Sequence, residues 1–143
     1  MFEDESEVYN LFISQLNEDN DEYDRFIGKL EASHDFQWKN YTIPGETDAK
    51  KLKEQMKLVN VVVILSGLYS KDKNLIQKEI DIAVELEKPV VIIRPYGMEN
   101  VPGSIEQVAT EVVGWNTPCI VDSIRESSQS EDLLWHNQNY FFS

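Results

Sequence analysis

The chain has few of the residues from which common active sites are built. Of its 143 residues one is cysteine (Cys119) and two are histidine (His34 and His136). One cysteine excludes an internal disulfide and a zinc cluster, and two scattered histidines argue against a histidine triad or metal site. There is no G-x-x-x-x-G-K-[ST] and no G-x-G-x-x-G, so no glycine-rich phosphate loop follows any strand. No apolar run approaches the ~20 residues that span a bilayer. Met1 to Glu7 lacks the basic and apolar regions of a signal peptide, so a cytoplasmic protein is expected. Positive charge is scarce as well. Residues 1–24 hold nine Asp and Glu and no Lys or Arg, and the whole chain carries a net charge of −13. Such acidity argues against nucleic acid and against an anionic membrane surface as partners, and its plain use is solubility. Within that run Glu22 and its neighbours are expected on a solvated face.

The remainder is an ordinary globular composition, 41% apolar and 27% charged. Strand-like runs alternate with helix-like ones. Strands are expected at Val8–Ser14, Gln37–Tyr41, Asn60–Leu65, Pro89–Arg94 and Glu111–Trp115. Helices are expected over Glu22–Ala32, over Ala49–Leu58 behind an Asp48 cap, over Asn74–Glu87, and over Pro118 to about Arg125 behind a Thr117 cap. Cys119, inside the last apolar helical pattern, is expected to be a buried thiol. Alternation of this kind predicts an α/β three-layer sandwich around a five-stranded parallel sheet, flavodoxin-like, with strand order 2-1-3-4-5. One domain over residues 1–126 is expected. A tail over 127–143 begins as a polar linker and ends in aromatic residues suited to docking on the domain or on another subunit.

One residue contradicts its own helix. With successive residues about 100° apart, Ile76, Ile80 and Ala83 make one apolar stripe of the third helix. Leu75, Ile82 and Leu86 make a second, and Glu79 falls between the two. A carboxyl aimed at the protein body is costly unless paired, hydrogen-bonded or working, and such conflicts mark functional or strained sites. The structural alternative is a carboxylate held by loop amides or by a cation such as Arg94. In sheets of this order ligands bind beyond the carboxyl ends of strands 1 and 3. That places Ser14, Gln15 and Asn17 after strand 1, and Ser66 and Tyr69 after strand 3, around the same crevice as Glu79. Each has a structural use too: the serines can satisfy loop amides, and Tyr69 can cover the sheet edge.

Four segments resemble a known family. They are Phe36-Gln-Trp-Lys-Asn-Tyr-Thr-Ile-Pro44, Val63-Ile-Leu-Ser-Gly-Leu-Tyr69, Ile76-Gln-Lys-Glu-Ile-Asp-Ile-Ala83 with Glu87-Lys-Pro89, and Ile93-Arg-Pro-Tyr-Gly97 through Val113-Gly-Trp-Asn116. With Phe12-Ile-Ser14 they are similar to TIR-like domains related to the TIR component of Thoeris anti-phage systems. The resemblance implies NAD as substrate rather than bound cofactor, and a glutamate after the third strand as catalytic residue, which falls on Glu79. It further implies cleavage of the nicotinamide–ribose bond to ADP-ribose or a cyclic signal, and dependence on a phage-derived trigger or on self-assembly. Two positions depart from the family pattern: Gln15 stands where a His is usual, and Leu75 where a Trp is usual. A non-catalytic module binding a nucleotide or a protein is the alternative.

Overall fold

The computed structural model describes residues 7–16, 21–43, 45–96 and 100–142, with side chains to residue 129. Asn17, the acidic residues Glu3, Asp4, Glu5, Glu18 and Asp19, and the loop residues Pro44 and Gly97 lie outside the described residues.

Five parallel strands form one sheet: β1 Val8–Ile13, β2 Gln37–Asn40, β3 Val61–Leu65, β4 Val90–Ile93 and β5 Glu111–Val113, in the order β2-β1-β3-β4-β5. That is the expected order. β3 and β4 are buried at every residue, as strands covered on both faces must be. Leu11 faces Val61 across the switch from β1 to β3, and Leu65 faces Ile93 across β3 and β4.

The helices are α1 Asp21–Glu31, α2 Ala49–Met56, α3 Lys73–Glu85, α4 Gly103–Glu106 and α5 Thr117–Phe142. Right-handed crossovers put α1 and α5 on one face of the sheet and α2 and α3 on the other, and the two pairs pack accordingly. Asp48 caps α2 as expected, accepting the Lys51 N–H at 3.1 Å. Glu87 closes the turn after α3 in the left-handed region (φ 57°), and the Lys88 N–H returns to the Ala83 carbonyl at 2.9 Å.

Three expectations about the last helix are corrected. Its cap is Asn116, whose Oδ1 accepts the Cys119 N–H at 3.1 Å, so Thr117 is already the first helical residue. Cys119 is exposed, because the buried stripe of α5 runs through Ile120, Val121 and Ile124 and the first turn presents Cys119 outward. The helix also continues through the polar stretch after Arg125 to Phe142. No Gly or Pro interrupts residues 119–142, so a helix once started propagates at little cost. Ser127 and Ser128 extend its buried side with small residues. The side chains of the aromatic end lie outside the described residues.

Candidate functional site

α3 carries the central residue of the site. Asp72 caps it, accepting the Leu75 N–H at 3.1 Å. From that start Leu75, Ile76, Ile80, Ile82 and Ala83 all turn inward, and Glu79 goes with them at 2% exposure. Its Oε1 is buried and accepts no hydrogen bond. Burial pushes the Glu79 carboxyl well above the usual range, the nearby Asp72 charge pushes it further, and Lys78 pulls it back. Lys78 itself donates to the Thr47 carbonyl at 2.8 Å, tying α3 to the loop before α2. Ionisation of Glu79 is therefore disfavoured by its own burial and by the neighbouring Asp72 charge.

The serines predicted around it are structural joints. The Ser14 N–H donates to the Val63 carbonyl at 2.9 Å, and Ser14 Oγ accepts the Leu65 N–H at 2.7 Å. Ser66 Oγ donates to the Ile93 carbonyl at 2.7 Å. Together they lace the carboxyl ends of β1, β3 and β4, and both side chains are buried. Tyr69 is buried too. Its hydroxyl lies 3.2 Å from Ser104 Oγ and donates to Gln77 Oε1 at 3.4 Å. Gln15 is half-buried, and its Oε1 is buried without a partner.

Sequence reasoning missed two residues here. Gln55 is buried on the inner face of α2, with its Oε1 taking the Ile43 N–H at 3.3 Å and its Nε2 unpartnered. Its position between Leu52 and Met56 was the available signal. Glu22, expected on a solvated face, instead folds its carboxyl onto the backbone of Gly67. A Cβ on that glycine would stand 2.2 Å from Glu22 Oε2, so the close approach requires glycine. Burial raises the Glu22 carboxyl, while the Lys71 charge and the Gly67 N–H hold it down. Asp21 and Asp24, its neighbours in the acidic run, are exposed as expected.

Glu22 and Gly67 open a cavity of about 480 Å³ beyond the ends of β3 and β4, floored by Ser66 and walled by Lys71, Pro95 and Val101. Ser14, Tyr69 and Glu79 do not line it. Among the described residues no three or more His, Cys, Asp or Glu come together to hold a metal ion, and no helix is long and apolar enough to cross a membrane.

With this sheet and this glutamate established, the model of one protein family, described as Thoeris protein ThsB, TIR-like domain, matches residues 3–100. The chain belongs to that family. The match to the Thoeris TIR-like domain runs from β1 through β4, taking in Glu79, the Ser66–Tyr69 loop and the Glu22–Gly67 contact; β5 and α5 lie beyond it. The comparison with curated proteins finds no match.

Proposed function

We propose that this Thoeris-type TIR-like chain consumes NAD, as a glycohydrolase or cyclase producing an ADP-ribose-type signal in bacterial anti-phage defence, with Glu79 as its catalytic carboxylate. The observation that carries the reading is the Glu79 carboxyl itself, 2% exposed, with an oxygen that accepts no hydrogen bond, on the helix after the third strand. A purely structural carboxyl so placed would be expected to spend both oxygens on partners.

The chemistry needs little more than one carboxylate. When the bond between ribose C1′ and the nicotinamide nitrogen breaks, the electron pair stays on nitrogen and the cationic ring leaves as neutral nicotinamide. C1′ is left with oxocarbenium character. Water attack with loss of a proton gives ADP-ribose, and attack by a nitrogen or oxygen of the same molecule gives a cyclic product. Departure needs no general acid, unlike ordinary glycoside hydrolysis. Ionised Glu79 would stabilise the sugar cation in a low-dielectric site, where such stabilisation is strongest.

The test is nicotinamide release from NAD by the purified protein, alone and with phage-infected lysate, beside Glu79→Gln. Release that depends on Glu79 is expected. Equal release from the variant, or none under either condition, refutes the enzymatic reading.

One observation favours a second reading, a binding module without turnover: the Ser14 and Ser66 hydroxyls are spent on strand ends. On that reading NAD binds with no release, and Glu79→Gln changes affinity only.

A further inference from the structure

A second cavity, of about 650 Å³, lies on the α1 and α5 face of the sheet, away from Glu79 on the α2 and α3 face. One wall is a single face of α1. Arg25, Gly28 and Lys29 follow the i, i+3, i+4 spacing, and Ala32 continues it at the end of the helix. The other wall is aromatic, with Tyr96 from the loop after β4 and Trp115 from the loop after β5.

Gly28 is the residue that the fold leaves unexplained. Glycine inside a helix costs about 1 kcal/mol against alanine. A Cβ at Gly28 would meet nothing within 4 Å, so no close approach calls for glycine there. What the missing side chain does is keep the middle of the groove open.

The aromatic wall is already fixed. Tyr96 is 49% exposed, yet the Arg25 guanidinium lies 4.7 Å from its ring centre and its ring meets Trp115 edge-on at 5.1 Å. Trp115 in turn meets buried Phe26 edge-on at 6.1 Å and donates from Nε1 to the Arg94 carbonyl at 2.7 Å. Tyr, Trp and Arg are the side chains that dominate protein–protein contacts, and here all three stand together with their freedom already spent.

Charge then selects the partner. The groove is lined by two cations, Arg25 and Lys29, and by no acid, on a chain of net charge −13. The cations stand one helical turn apart, ~6 Å along α1, within reach of carboxylates on one short peptide. A second copy of this chain is a poor occupant, because two bodies of that charge repel.

We propose that this groove docks an acidic segment of a partner protein, with an apolar side chain over Gly28 against Tyr96 and Trp115, and carboxylates on Arg25 and Lys29.

Fluorescence anisotropy of the full chain with a labelled peptide alternating Glu and Phe tests this. The same peptide with Gln for Glu is expected to bind at least ~tenfold more weakly, and raised salt should weaken only the acidic form. Arg25→Gln and Lys29→Gln should each weaken the acidic peptide about fivefold. Gly28→Met fills the groove with a residue that favours helix, so it should melt no lower than wild type yet no longer bind. Peptide binding that survives Gly28→Met, equal binding of the Glu and Gln peptides, or no binding of the acidic peptide at millimolar concentration overturns the proposal. Displacement of the peptide by AMP would make the groove a nucleotide site and overturns it too. So does self-association in sedimentation that Lys29→Gln abolishes, which would make the groove an interface between copies.

Discussion

Replacing Glu79 with Gln should make the protein relatively more stable as pH rises, with a slope that reports the buried carboxyl directly. The folded state holds the Glu79 proton well above the ordinary value of 4.5, because burial and Asp72 both disfavour the charge. The unfolded chain releases that proton near the ordinary value. Between the two pKa values the folded state binds one more proton than the unfolded state, so wild-type stability falls with rising pH, by at most about 1.4 kcal/mol per unit. Below both values the carboxyl is neutral in both states and costs nothing extra. Gln does not titrate, so Glu79→Gln removes this slope. Its carboxamide shifts stability by a constant offset, since it inherits an unpartnered position. Groups that do not interact with Glu79 titrate alike in both proteins and cancel in the difference. Urea unfolding of both at pH 5 and pH 6 should show the variant gaining about 1 kcal/mol over wild type per unit, or roughly 0.5 M in midpoint for an m-value near 2 kcal/mol/M. A difference that changes by less than about 0.3 kcal/mol per unit would mean that Glu79 ionises as an exposed carboxyl does, and the reasoning from burial would fail.

Ser66→Ala removes the bond to the Ile93 carbonyl, and Ser14→Ala leaves the Leu65 N–H without its acceptor. Each should cost about 1–3 kcal/mol in urea unfolding; a loss below about 0.5 kcal/mol would refute the view that these hydroxyls lace the strand ends. On the proposed NAD chemistry, binding a non-hydrolysable NAD analogue below the raised pKa of Glu79 should release close to one proton, seen as a buffer-dependent heat in calorimetry. Glu79→Gln should abolish that release, and an unchanged release would assign the proton to another group.

Much of the fold can be read along the chain. The five apolar runs, their alternation with helices, the order of the sheet and the inward phase of Glu79 all follow from local pattern, because a side chain's direction on a helix depends only on its own neighbours. What escaped that reading depends on residues distant in sequence. Glu22 sits in a run of acids with nothing local to distinguish it. Its burial is decided by Gly67, forty-five positions later, which gives it room by having no side chain. The roles of Ser14 and Ser66 follow from register between strands, which no single strand encodes. At α5 the misreading was local: Asn116 and Thr117 are both good caps, and the structure uses Asn116. The polar run after Arg125 resembles a linker in composition, yet it holds no residue that stops a helix.

Buried Glu79 and half-buried Glu22 show how this chain treats a carboxyl drawn away from water. Glu22 is compensated in part: burial still raises its carboxyl and its Oε2 has no partner, but the Lys71 charge and the Gly67 N–H pull it back. Glu79 is the reverse case. Its strongest charged neighbour is Asp72, which worsens the cost of ionising it, and the cation that helps, Lys78, has its ammonium hydrogen-bonded to the Thr47 carbonyl. A cap at the start of α3 does not require an acid, since Ser or Thr would accept the same N–H. With Asp at position 72 a second negative group is held close to Glu79. Two carboxyls so arranged are unfavourable by themselves and favourable once a cation enters between protein and solvent. The nicotinamide ring of NAD carries such a charge before cleavage, and the ribose acquires it during cleavage. On the proposed reading, the energy that burial costs at rest is returned when the cationic substrate arrives and Glu79 ionises. The same carboxyl then meets the charge that develops on the sugar.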